Sequence, residues 1–427
     1  MNIISCKDAA KEYDVIVCGG GPSGCCAAIS ASRAGMNTLL IEATSALGGM
    51  GTMGMVSAFA PFTDGEKVIY NSLPIEILTR YKSRMNIPDR IWDWIKLSPE
   101  DLKRIYDDMV AESKTDVLFQ TVVCSAETES GKIRKIYAAN KNGITAYSAK
   151  VFIDCSGDGD LAAYSGVPFE IGESGEVQSS SLCFAISNIH REKINIKIDS
   201  NSDDGIWPII IADGKYPLIS RHFIYSIFGN TFMINGGHLF IEDPTDNNQI
   251  SRAYILGRKT ADQYLSALKE YLPDAFCDSY LVQTAPLMGV RESRRIKGKY
   301  TLTLDDYINR RNFDDEIARN SYWLDCHPSG NDKSACSVQP DNGYKIGDSH
   351  GIPFRCLVPE NVRNLLVAGR CISVERIVLA STRVMPNCLA TGEAAGIGSA
   401  LAIKENTDVC NINGKSIKEF IESNKHI

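Results

Sequence analysis

A glycine-rich turn lies near the start of the chain. Gly19-x-Gly21-x-x-Gly24 follows the apolar run Val15–Val17 and precedes a run of small residues. The first glycine permits a tight turn, the second lets the backbone approach a pyrophosphate, and the third lets a helix pack closely on a strand. The start of that helix, at Pro22 and Ser23, carries partial positive charge, and from Ser23 onward its first N–H groups are unpaired. The pattern therefore predicts a phosphate-binding loop.

An acidic residue follows this loop at a useful distance. The segment from Asn37 to Ile41 is typical of a short strand, and Glu42 ends it, 18 residues after Gly24. In a strand–turn–helix–strand unit of this spacing, the acid accepts hydrogen bonds from ribose hydroxyls. The combination predicts a dinucleotide-binding unit, for which the glycine pattern alone would be weak support.

A cluster of arginines is the main candidate for contact with a substrate. Arg291, Arg294 and Arg295 lie within five residues of one another. Guanidinium groups are planar, permanently charged donors, so Arg291 and Arg294 are predicted to bind a carboxylate or another anion. The alternative is a structural ion-pair cluster with Glu292. Tyr300 follows in the same block and is a candidate hydroxyl donor.

Two histidines stand beside acids in predicted loops. His327 follows Asp325, and His350 follows Asp348. Imidazole exchanges protons near neutral pH, so either histidine is a candidate proton acceptor, with His327 preferred. The alternative for each is a hydrogen-bonded loop histidine with no role in catalysis.

The elements that would position these groups are readable in outline. A long helix is predicted from about Asn248 to Tyr271, ended by Pro273. A buried strand is predicted at 364–370 and a helix of small residues from Pro386 to about Ile403. The stretch Phe223–Ile241 carries no formal charge, but its Asn, Gly and His residues favour strands joined by a turn over a membrane span.

A second turn with glycines and acids occurs at residues 156–160. Gly157 and Gly159 mimic part of a nucleotide fingerprint, but no apolar strand with a terminal acid follows at the right distance. A close-packed crossing beneath the cofactor is favoured, with Asp158 or Asp160 as the N-cap of a helix. The alternative is a helix-capping turn alone.

Composition narrows the class of protein. The 427 residues carry a net charge of −7, which argues against nucleic acid as a partner, since phosphate binding needs a basic surface. The 14 cysteines show no CxxC motif and no metal-type pairing, which predicts reduced thiols, no metal site and no redox disulfide. Charges interrupt the first residues where a signal peptide would be apolar, so a cytoplasmic protein without a membrane span is expected.

The sequence resembles the flavoproteins with two dinucleotide-binding domains, and among them the FAD-dependent oxidoreductases. It is more distantly similar to the flavoproteins of fumarate reductase and succinate dehydrogenase. The residues that carry the resemblance are spread over most of the chain: 19–24, Glu42, 47–50, 153–162, 289–296, 367–372 and 381–390.

The resemblance implies FAD as the cofactor, extended from Glu42 at the adenosine ribose to the helix that starts near Pro386 at the flavin. No histidine precedes His190, so the histidyl–flavin link of the succinate dehydrogenase-like proteins is excluded and FAD is expected to bind non-covalently. The expected cofactor-binding residues are Gly19, Gly21, Pro22, Ser23, Gly24, Glu42, Ala43, Gly48, Gly49, Met50, Val123, Gly157, Asp158, Gly369, Arg370, Arg383, Val384, Pro386 and Asn387.

Two positions depart from the pattern of related flavoproteins. Ala46 stands where many have an arginine, two residues before the glycine pair, and Gly369–Arg370 replaces a Gly–Asp pair whose acid holds the ribityl chain. The ribityl contacts are therefore open. The alternative for Arg370 is a salt bridge to a nearby acid.

These observations predict an α/β protein, with a Rossmann-like FAD-binding domain and an inserted α+β substrate domain. The FAD-binding domain is expected at 1–170, with a helical insertion at about 65–112, and at 351–427; the substrate domain is expected at 171–350. The predicted activity is hydride transfer between flavin N5 and a small polar organic substrate, with an electron acceptor or donor of unknown identity. The alternatives are an NAD(P)-dependent dehydrogenase that uses the N-terminal unit and a flavin-holding protein without turnover.

Overall fold

The computed structural model describes residues 6–172, 177–198, 204–221, 224–330 and 344–423. Its helices are α1 (Pro22–Arg33), α2 (Ser72–Met85), α3 (Pro99–Ser113), α4 (Asp160–Tyr164), α5 (Ile206–Asp213), α6 (Asn247–Tyr271), α7 (Pro273–Phe276), α8 (Leu304–Ile308), α9 (Arg376–Thr382), α10 (Met385–Lys404) and α11 (Gly414–Ser423). Its strands are β1 (Lys7–Asp8), β2 (Tyr13–Cys18), β3 (Thr38–Ile41), β4 (Asp116–Leu118), β5 (Val122–Glu129), β6 (Lys132–Asn140), β7 (Gly143–Tyr147), β8 (Ala149–Asp154), β9 (Phe169–Ile171), β10 (Phe184–Ser187), β11 (Ile224–Phe228), β12 (Thr231–Asn235), β13 (Tyr280–Thr284), β14 (Arg294–Ile296), β15 (Glu316–Asn320), β16 (His350–Pro353) and β17 (Leu365–Val367).

A five-stranded parallel sheet forms the centre of the fold, in the order β17–β8–β2–β3–β4. Its strands come from the first 154 residues and from 365–367, so both ends of the sequence build it. Strands β3 and β17 are buried along their whole length, which explains their continuous apolar sequences. The carboxyl ends of β2, β8 and β17 meet at one edge, where α/β proteins bind ligands.

Helices α1 and α10 cross at a distance that only glycine permits. A Cβ atom on Gly392 would lie 2.0 Å from the Ser23 carbonyl oxygen. A Cβ on Gly396 would lie 2.3 Å from the Ala27 carbonyl oxygen. The small residues that predicted a helix after Pro386 are therefore the surface that brings α10 against α1.

A second, antiparallel sheet has the order β11–β12–β10–β13 and carries its own core. Phe184, Phe232 and Tyr264 pack together there with Trp207, all of them buried. Tyr264 lies on α6, so this long helix covers the sheet. A third sheet has the order β1–β7–β6–β5, and Ile133, Ile136 and Ala138 of its β6 strand pack with Ile16 and Phe152 of the parallel sheet in one buried cluster.

Several predictions of elements are confirmed. Helix α6 begins at Asn247, where the Asp246 side chain accepts a hydrogen bond from Asn248 N at 2.8 Å, and ends at Tyr271. Strands β11 and β12 form the predicted pair within 223–241, although Phe223 itself lies outside the described residues. Among the residues that the structure describes, no helix has the length and apolar character needed to cross a membrane.

The predicted cap of α4 is wrong. Gly159 occupies the N-cap position with a φ of +67° and contributes no side chain. The capping oxygens come from earlier in the turn: Ser156 Oγ accepts from Asp160 N at 3.0 Å, and Asp154 Oδ2 accepts from Ala162 N at 2.8 Å. Asp158 and Asp160 are instead engaged with arginines, as described below.

Candidate active site

The glycine turn combines tight packing on one side with open space on the other. Gly19 has a φ of +98°, and a Cβ there would lie 2.4 Å from the Cys155 carbonyl oxygen. A Cβ on Gly24 would lie 1.7 Å from the Gly19 carbonyl oxygen. A Cβ on Gly21, in contrast, would meet no atom of the described residues within 4 Å. The turn thus leaves room for a ligand at Gly21, in front of the first N–H groups of α1.

Glu42 braces this turn from the end of β3. Its Oε2 accepts a hydrogen bond from Gly20 N at 2.6 Å and its Oε1 accepts one from Thr44 N at 2.7 Å. The residue is 8% exposed, and each oxygen keeps a further lone pair for a ribose hydroxyl. The Thr121 N–H donates to the Glu42 backbone oxygen at 3.1 Å.

The neighbours of Glu42 are the remaining predicted contacts at the adenosine end. Ala43 follows Glu42 directly and is exposed. Val123 is half-buried in β5, two residues beyond Thr121, and pairs with Ala138 of β6. Both therefore stand beside the predicted ribose-binding acid.

The second glycine loop lies directly against the first. Gly49 has a φ of +49°, and its Cβ position is 2.9 Å from Gly21 Cα. Gly48 also has a positive φ, and its N–H donates to Gly20 O at 2.8 Å. Met50 follows, and its carbonyl oxygen accepts from Val56 N at 2.9 Å. The loop therefore folds back on itself beside the predicted pyrophosphate position.

Arg370 is held by an ion pair, which was the alternative for this residue. Its Nη2 donates to Asp158 Oδ1 at 2.5 Å and its Nη1 donates to Ser293 Oγ at 2.7 Å. Ser293 Oγ in turn donates to the same Asp158 oxygen at 2.6 Å. Gly157, with a φ of +80°, brings its Cβ position to 3.2 Å from the guanidinium. The guanidinium therefore joins the turn after β8 to the segment that precedes β14.

The C-terminal strand and helix complete the edge of the sheet. Gly369 has a φ of +89°, and a Cβ there would lie 2.6 Å from Ser23 Oγ. Val384 is the N-cap of α10 and Pro386 stands in its first turn, where the missing N–H costs no hydrogen bond. The Asn387 side chain accepts from the Tyr70 hydroxyl at 2.6 Å. The Asn387 side chain is therefore engaged within the protein interior.

Together these features form a cradle along the sheet edge, made by the Gly19–Gly24 turn, Glu42 and the start of α10, which fits an extended dinucleotide such as FAD. The open face at Gly21, the buried carboxylate of Glu42 and the start of α10 lie along one edge of the parallel sheet. Met385 at that start touches the glycine loop, since its Sδ lies 3.1 Å from the Cβ position of Gly51. Among the residues with described coordinates, no side chain lies within 4 Å of the Cβ position of Gly21, so space remains beside the first turn of α1.

Beside this cradle lies a cluster of charged groups from four segments, which we call the cationic cluster: Arg221, Arg291, Asp325, His327 and Arg383. Arg291 Nη1 donates to the Ser179 carbonyl oxygen at 2.6 Å, and Arg383 Nη2 donates to the Asp325 carbonyl oxygen at 2.6 Å. His327 Nε2 lies 3.5 Å from Asp325 Oδ1, and its Nδ1 lies 3.4 Å from His238 Nε2. The predicted residues Arg291, His327 and Arg383 are thus brought together.

Hydrogen bonds to the backbone hold these segments beside one another. Ser179 N donates to Pro328 O at 2.9 Å, while the Gln178 side chain accepts from His327 N at 3.1 Å. The buried carboxylate of Glu292 accepts from Gln178 N at 2.9 Å. One short segment, 178–179, therefore contacts both the arginine block and the histidine loop.

The charged groups of the cationic cluster shift one another's pKa values. Burial and the nearby cations of Arg221 and Arg383 hold the pKa of Arg291 well below its ordinary value. Burial alone would raise the pKa of Asp325, but the hydrogen bond with His327 and the Arg383 cation lower it overall. Burial, followed by the Arg291 cation, holds the pKa of His327 well below 6.5, so the imidazole is neutral at neutral pH. Arg291 and Arg383 thus both act on the Asp325 carboxylate, and the cations of Arg221 and Arg383 both act on Arg291.

Polar atoms remain available around the cluster. Among the described residues, Arg383 Nη1 and the hydroxyls of Ser179 and Ser180 are buried without a protein hydrogen-bond partner. Buried donors of this kind are costly unless a ligand or water satisfies them. The cluster therefore has both the charge and the donors to hold an anion.

Two predicted residues are engaged elsewhere. Arg294 Nη1 donates to Asp160 Oδ1 at 2.7 Å and its guanidinium stacks over the Phe169 ring at 5.3 Å, which matches the ion-pair alternative for this block. The Tyr300 hydroxyl donates to Asp306, 2.8 Å from its Oδ2, within the capping box of α8. The structure places neither side chain among the contacts of the cationic cluster.

His350 is also engaged in the protein interior. It is buried, and its Nδ1 bonds with the Tyr344 hydroxyl. Its ring packs against that of Tyr307, with centroids 5.5 Å apart. This arrangement matches the alternative of a hydrogen-bonded histidine.

Sequence reasoning missed Arg221, Ser179 and His238 as members of this site. Arg221 stands alone in the sequence, and the tertiary fold brings it to Arg291. A weak signal for Ser179 was available in the run of serines at 179–181, which is unusual in a buried strand-like segment.

Comparison with known proteins identifies the family. The sequence matches the family model described as FAD dependent oxidoreductase over residues 14–421. Among curated protein sequences, none matches. The match favours a flavoprotein over a nicotinamide-dependent dehydrogenase that uses only the N-terminal unit.

Solved structures are similar to this chain at low sequence identity. A flavoprotein/dehydrogenase from Cytophaga hutchinsonii has a TM-score of 0.50 at 11% identity, covering 97% of this chain and 82% of its own. A geranylgeranyl bacteriochlorophyll reductase-like protein from Thermoplasma acidophilum has a TM-score of 0.48 at 14% identity, covering 97% and 84%. A p-nitrophenol 4-monooxygenase from Pseudomonas putida has a TM-score of 0.47 at 10% identity, covering 97% and 86%.

The family match agrees with the fold and with the cradle along the parallel sheet: all three indicate a flavin-dependent oxidoreductase. The chain belongs to the FAD dependent oxidoreductase family, and FAD is its cofactor.

Proposed function

We propose that this oxidoreductase exchanges a hydride with a small polar organic substrate that carries an anionic group, and that the cationic cluster binds that group. The observation that carries the proposal is that Arg291 and Arg383 lie together beside Asp325, while Arg383 Nη1 is buried and, among the described residues, has no protein hydrogen-bond partner. A buried guanidinium donor of this kind is stabilised when an anion pairs with it.

The position of the cluster supports this proposal. Arg383 directly precedes Val384, the N-cap of α10, and the resemblance stated above puts the flavin at that helix start. Leu287 N donates to Met53 O at 3.2 Å, which ties the Arg291 segment to the second glycine loop. A substrate held by Arg291 and Arg383 would therefore lie beside the cofactor cradle. The division into an FAD-binding domain (1–170 and 351–427) and a substrate domain (171–350) is part of the same proposal.

Each residue of the cluster has a distinct task in this proposal. Arg291 and Arg383 bind the anionic group, with Arg383 Nη1 and the hydroxyls of Ser179 and Ser180 as the buried donors. Bound FAD supplies the hydride acceptor or donor at its N5 atom. His327, which is neutral, takes up the proton of a substrate hydroxyl or amine during oxidation and returns it in the reverse direction. Asp325, 3.5 Å from His327 Nε2, orients the imidazole and stabilises its protonated form.

A ligand titration tests this assignment before any substrate is identified. Small mono- and dicarboxylates are added to the FAD-loaded protein, and the absorbance spectrum of the flavin is recorded. The proposal predicts a saturable perturbation by carboxylates that weakens at least tenfold in Arg291→Ala. Arg134→Ala removes an exposed arginine that pairs with Glu129 and serves as the control. A perturbation of equal strength with uncharged amides would contradict the proposal.

A further inference from the structure

A group of three potential metal ligands lies on the antiparallel sheet, apart from the cationic cluster. His190, Cys277 and Asp278 each offer a ligand atom, and these atoms all lie within 4.8 Å of one another. It is the only such group with three or more His, Cys, Asp or Glu ligands in the part of the chain that the structure describes. His190 Nε2 lies 3.0 Å from Asp278 Oδ2.

The fold brings these residues together from distant positions. Strands β10 and β13 pair in antiparallel fashion with Ser187 opposite Tyr280, so the loop after β10 and the loop before β13 lie at the same end of the sheet. His190 lies just after β10, and Cys277 and Asp278 lie just before β13. This separation explains why the spacing of cysteines and histidines predicted no metal site.

The backbone beneath the three side chains is firmly held. His190 N donates to Ala275 O at 2.9 Å, and the Asn188 side chain donates to Asp278 O at 3.0 Å. Ile189 and Phe276, next to the ligand residues, are fully buried. The side chains themselves reach solvent, since Cys277 and Asp278 are exposed. A rigid base with accessible ligand atoms is what a surface metal site requires.

The ligand types select among metals. Ligands bound to one tetrahedral ion at 2.0–2.3 Å stand roughly 3.3–3.8 Å apart, so small side-chain rotations would bring these three atoms to that spacing. A thiolate, an imidazole and a carboxylate together suit Zn²⁺ and not Mg²⁺ or Ca²⁺, which prefer oxygen ligands. Three protein ligands leave the fourth position for water.

A further carboxylate lies on the other side of the imidazole. Glu192 Oε1 is 3.9 Å from His190 Nδ1. Histidine ligands of metals commonly donate their second N–H to a carboxylate, which orients the ring and raises its basicity. Glu192 is close enough to take this role after a small adjustment.

We infer that His190, Cys277 and Asp278 form a Zn²⁺ site that joins the loop after β10 to the loop before β13. Co²⁺ and Zn²⁺ are the probes. Wild-type protein loaded with FAD and freed of metal by a chelator is expected to bind one Co²⁺ with a sulfur-to-cobalt charge-transfer band. Zn²⁺ should displace the Co²⁺ and abolish the band.

Variants assign the ligands. Cys277→Ser is expected to abolish the band, and Asp278→Asn and His190→Asn to weaken Co²⁺ binding at least tenfold, whereas Glu192→Gln should weaken it about 10–100-fold through the histidine. Cys124→Ser removes another exposed thiol and should leave binding unchanged. Flavin content reports that each variant is folded. A wild-type protein without the thiolate band, or a band that survives in Cys277→Ser, would overturn the inference.

Discussion

Arg383 donates through Nη2 to the backbone oxygen of Asp325 at 2.6 Å, and its side chain also lies 3.5 Å from the Asp325 carboxylate. The guanidinium is thereby fixed at the start of α10, while its Nη1 is buried and, within the described residues, has no protein partner. A fixed guanidinium with an unused donor is suited to bind a planar anion.

Replacement of Arg383 by glutamine should lower kcat/KM for an anionic substrate about 10–150-fold. This range corresponds to the loss of about 1.5–3 kcal/mol for a hydrogen bond to a charged group. Steady-state kinetics with flavin content as the reference measure the effect. Arg134→Ala should change kcat/KM less than twofold. A variant that loses FAD together with activity would assign Arg383 to the cofactor instead.

His327 should act as a neutral base throughout the neutral pH range. Burial, with the Arg291 cation, lowers its pKa well below 6.5. The protonation of His327 should therefore cause no change in kcat/KM between pH 6 and 8. His327→Asn should lower kcat by about 10²-fold or more, which is typical of a lost general base. An inflection near pH 6.5 that disappears in His327→Asn would show that the imidazole titrates normally and would contradict this account.

The two glycines Gly21 and Gly24 should separate cofactor binding from folding. A Cβ at Gly21 would have no atom of the described part of the chain within 4 Å, so Gly21→Ala should leave the thermal stability of the cofactor-free protein unchanged. The same change should weaken FAD binding, because the methyl group enters the predicted pyrophosphate position. A Cβ at Gly24 would lie 1.7 Å from Gly19 O, so Gly24→Ala should lower both stability and FAD binding. Thermal melts with and without FAD make the comparison. Normal FAD affinity in Gly21→Ala would show that the pyrophosphate does not bind at Gly21.

Local motifs and tertiary arrangements differed in how far the sequence predicted them. The glycine turn, Glu42 and the helix after Pro386 are local patterns of residue type and spacing, so the sequence was sufficient to predict them. The assignment of Arg383 to the cofactor and of Arg294 and Tyr300 to the substrate depended on which partner each side chain meets. Asp160, the partner of Arg294, lies 134 residues earlier in the sequence. The partners of Arg383 and Tyr300 depend on how loops fold, which the periodicity of the sequence does not encode.

His350 should make the protein sensitive to acid. Burial and the Arg319 cation lower its pKa from 6.5 to about 3. The folded value lies below the unfolded one, so the unfolded chain binds the proton first: the contribution of His350 is complete above pH 6.5 and is lost as the pH falls towards 3. At pH 5 the loss is about 2 kcal/mol.

Denaturant titrations at pH 7 and pH 5 check this prediction. His350→Gln should be less stable at pH 7, since the bond with Tyr344 changes, but should lose less stability between pH 7 and pH 5 than the wild-type protein. Equal losses in both proteins would assign the acid sensitivity to other groups.

The most direct test of the proposed function is the anaerobic half-reaction of the bound flavin. Carboxylates that carry a hydroxyl, an amine or a carbon–carbon double bond are mixed with the oxidised or the chemically reduced protein, each beside its methyl ester. The account predicts that at least one carboxylate changes the flavin redox state, that its ester reacts at least tenfold more slowly, and that this preference disappears in Arg291→Ala and Arg383→Gln. Equal rates for acid and ester, or a preference that persists in both variants, would contradict the claim that the cationic cluster binds the substrate.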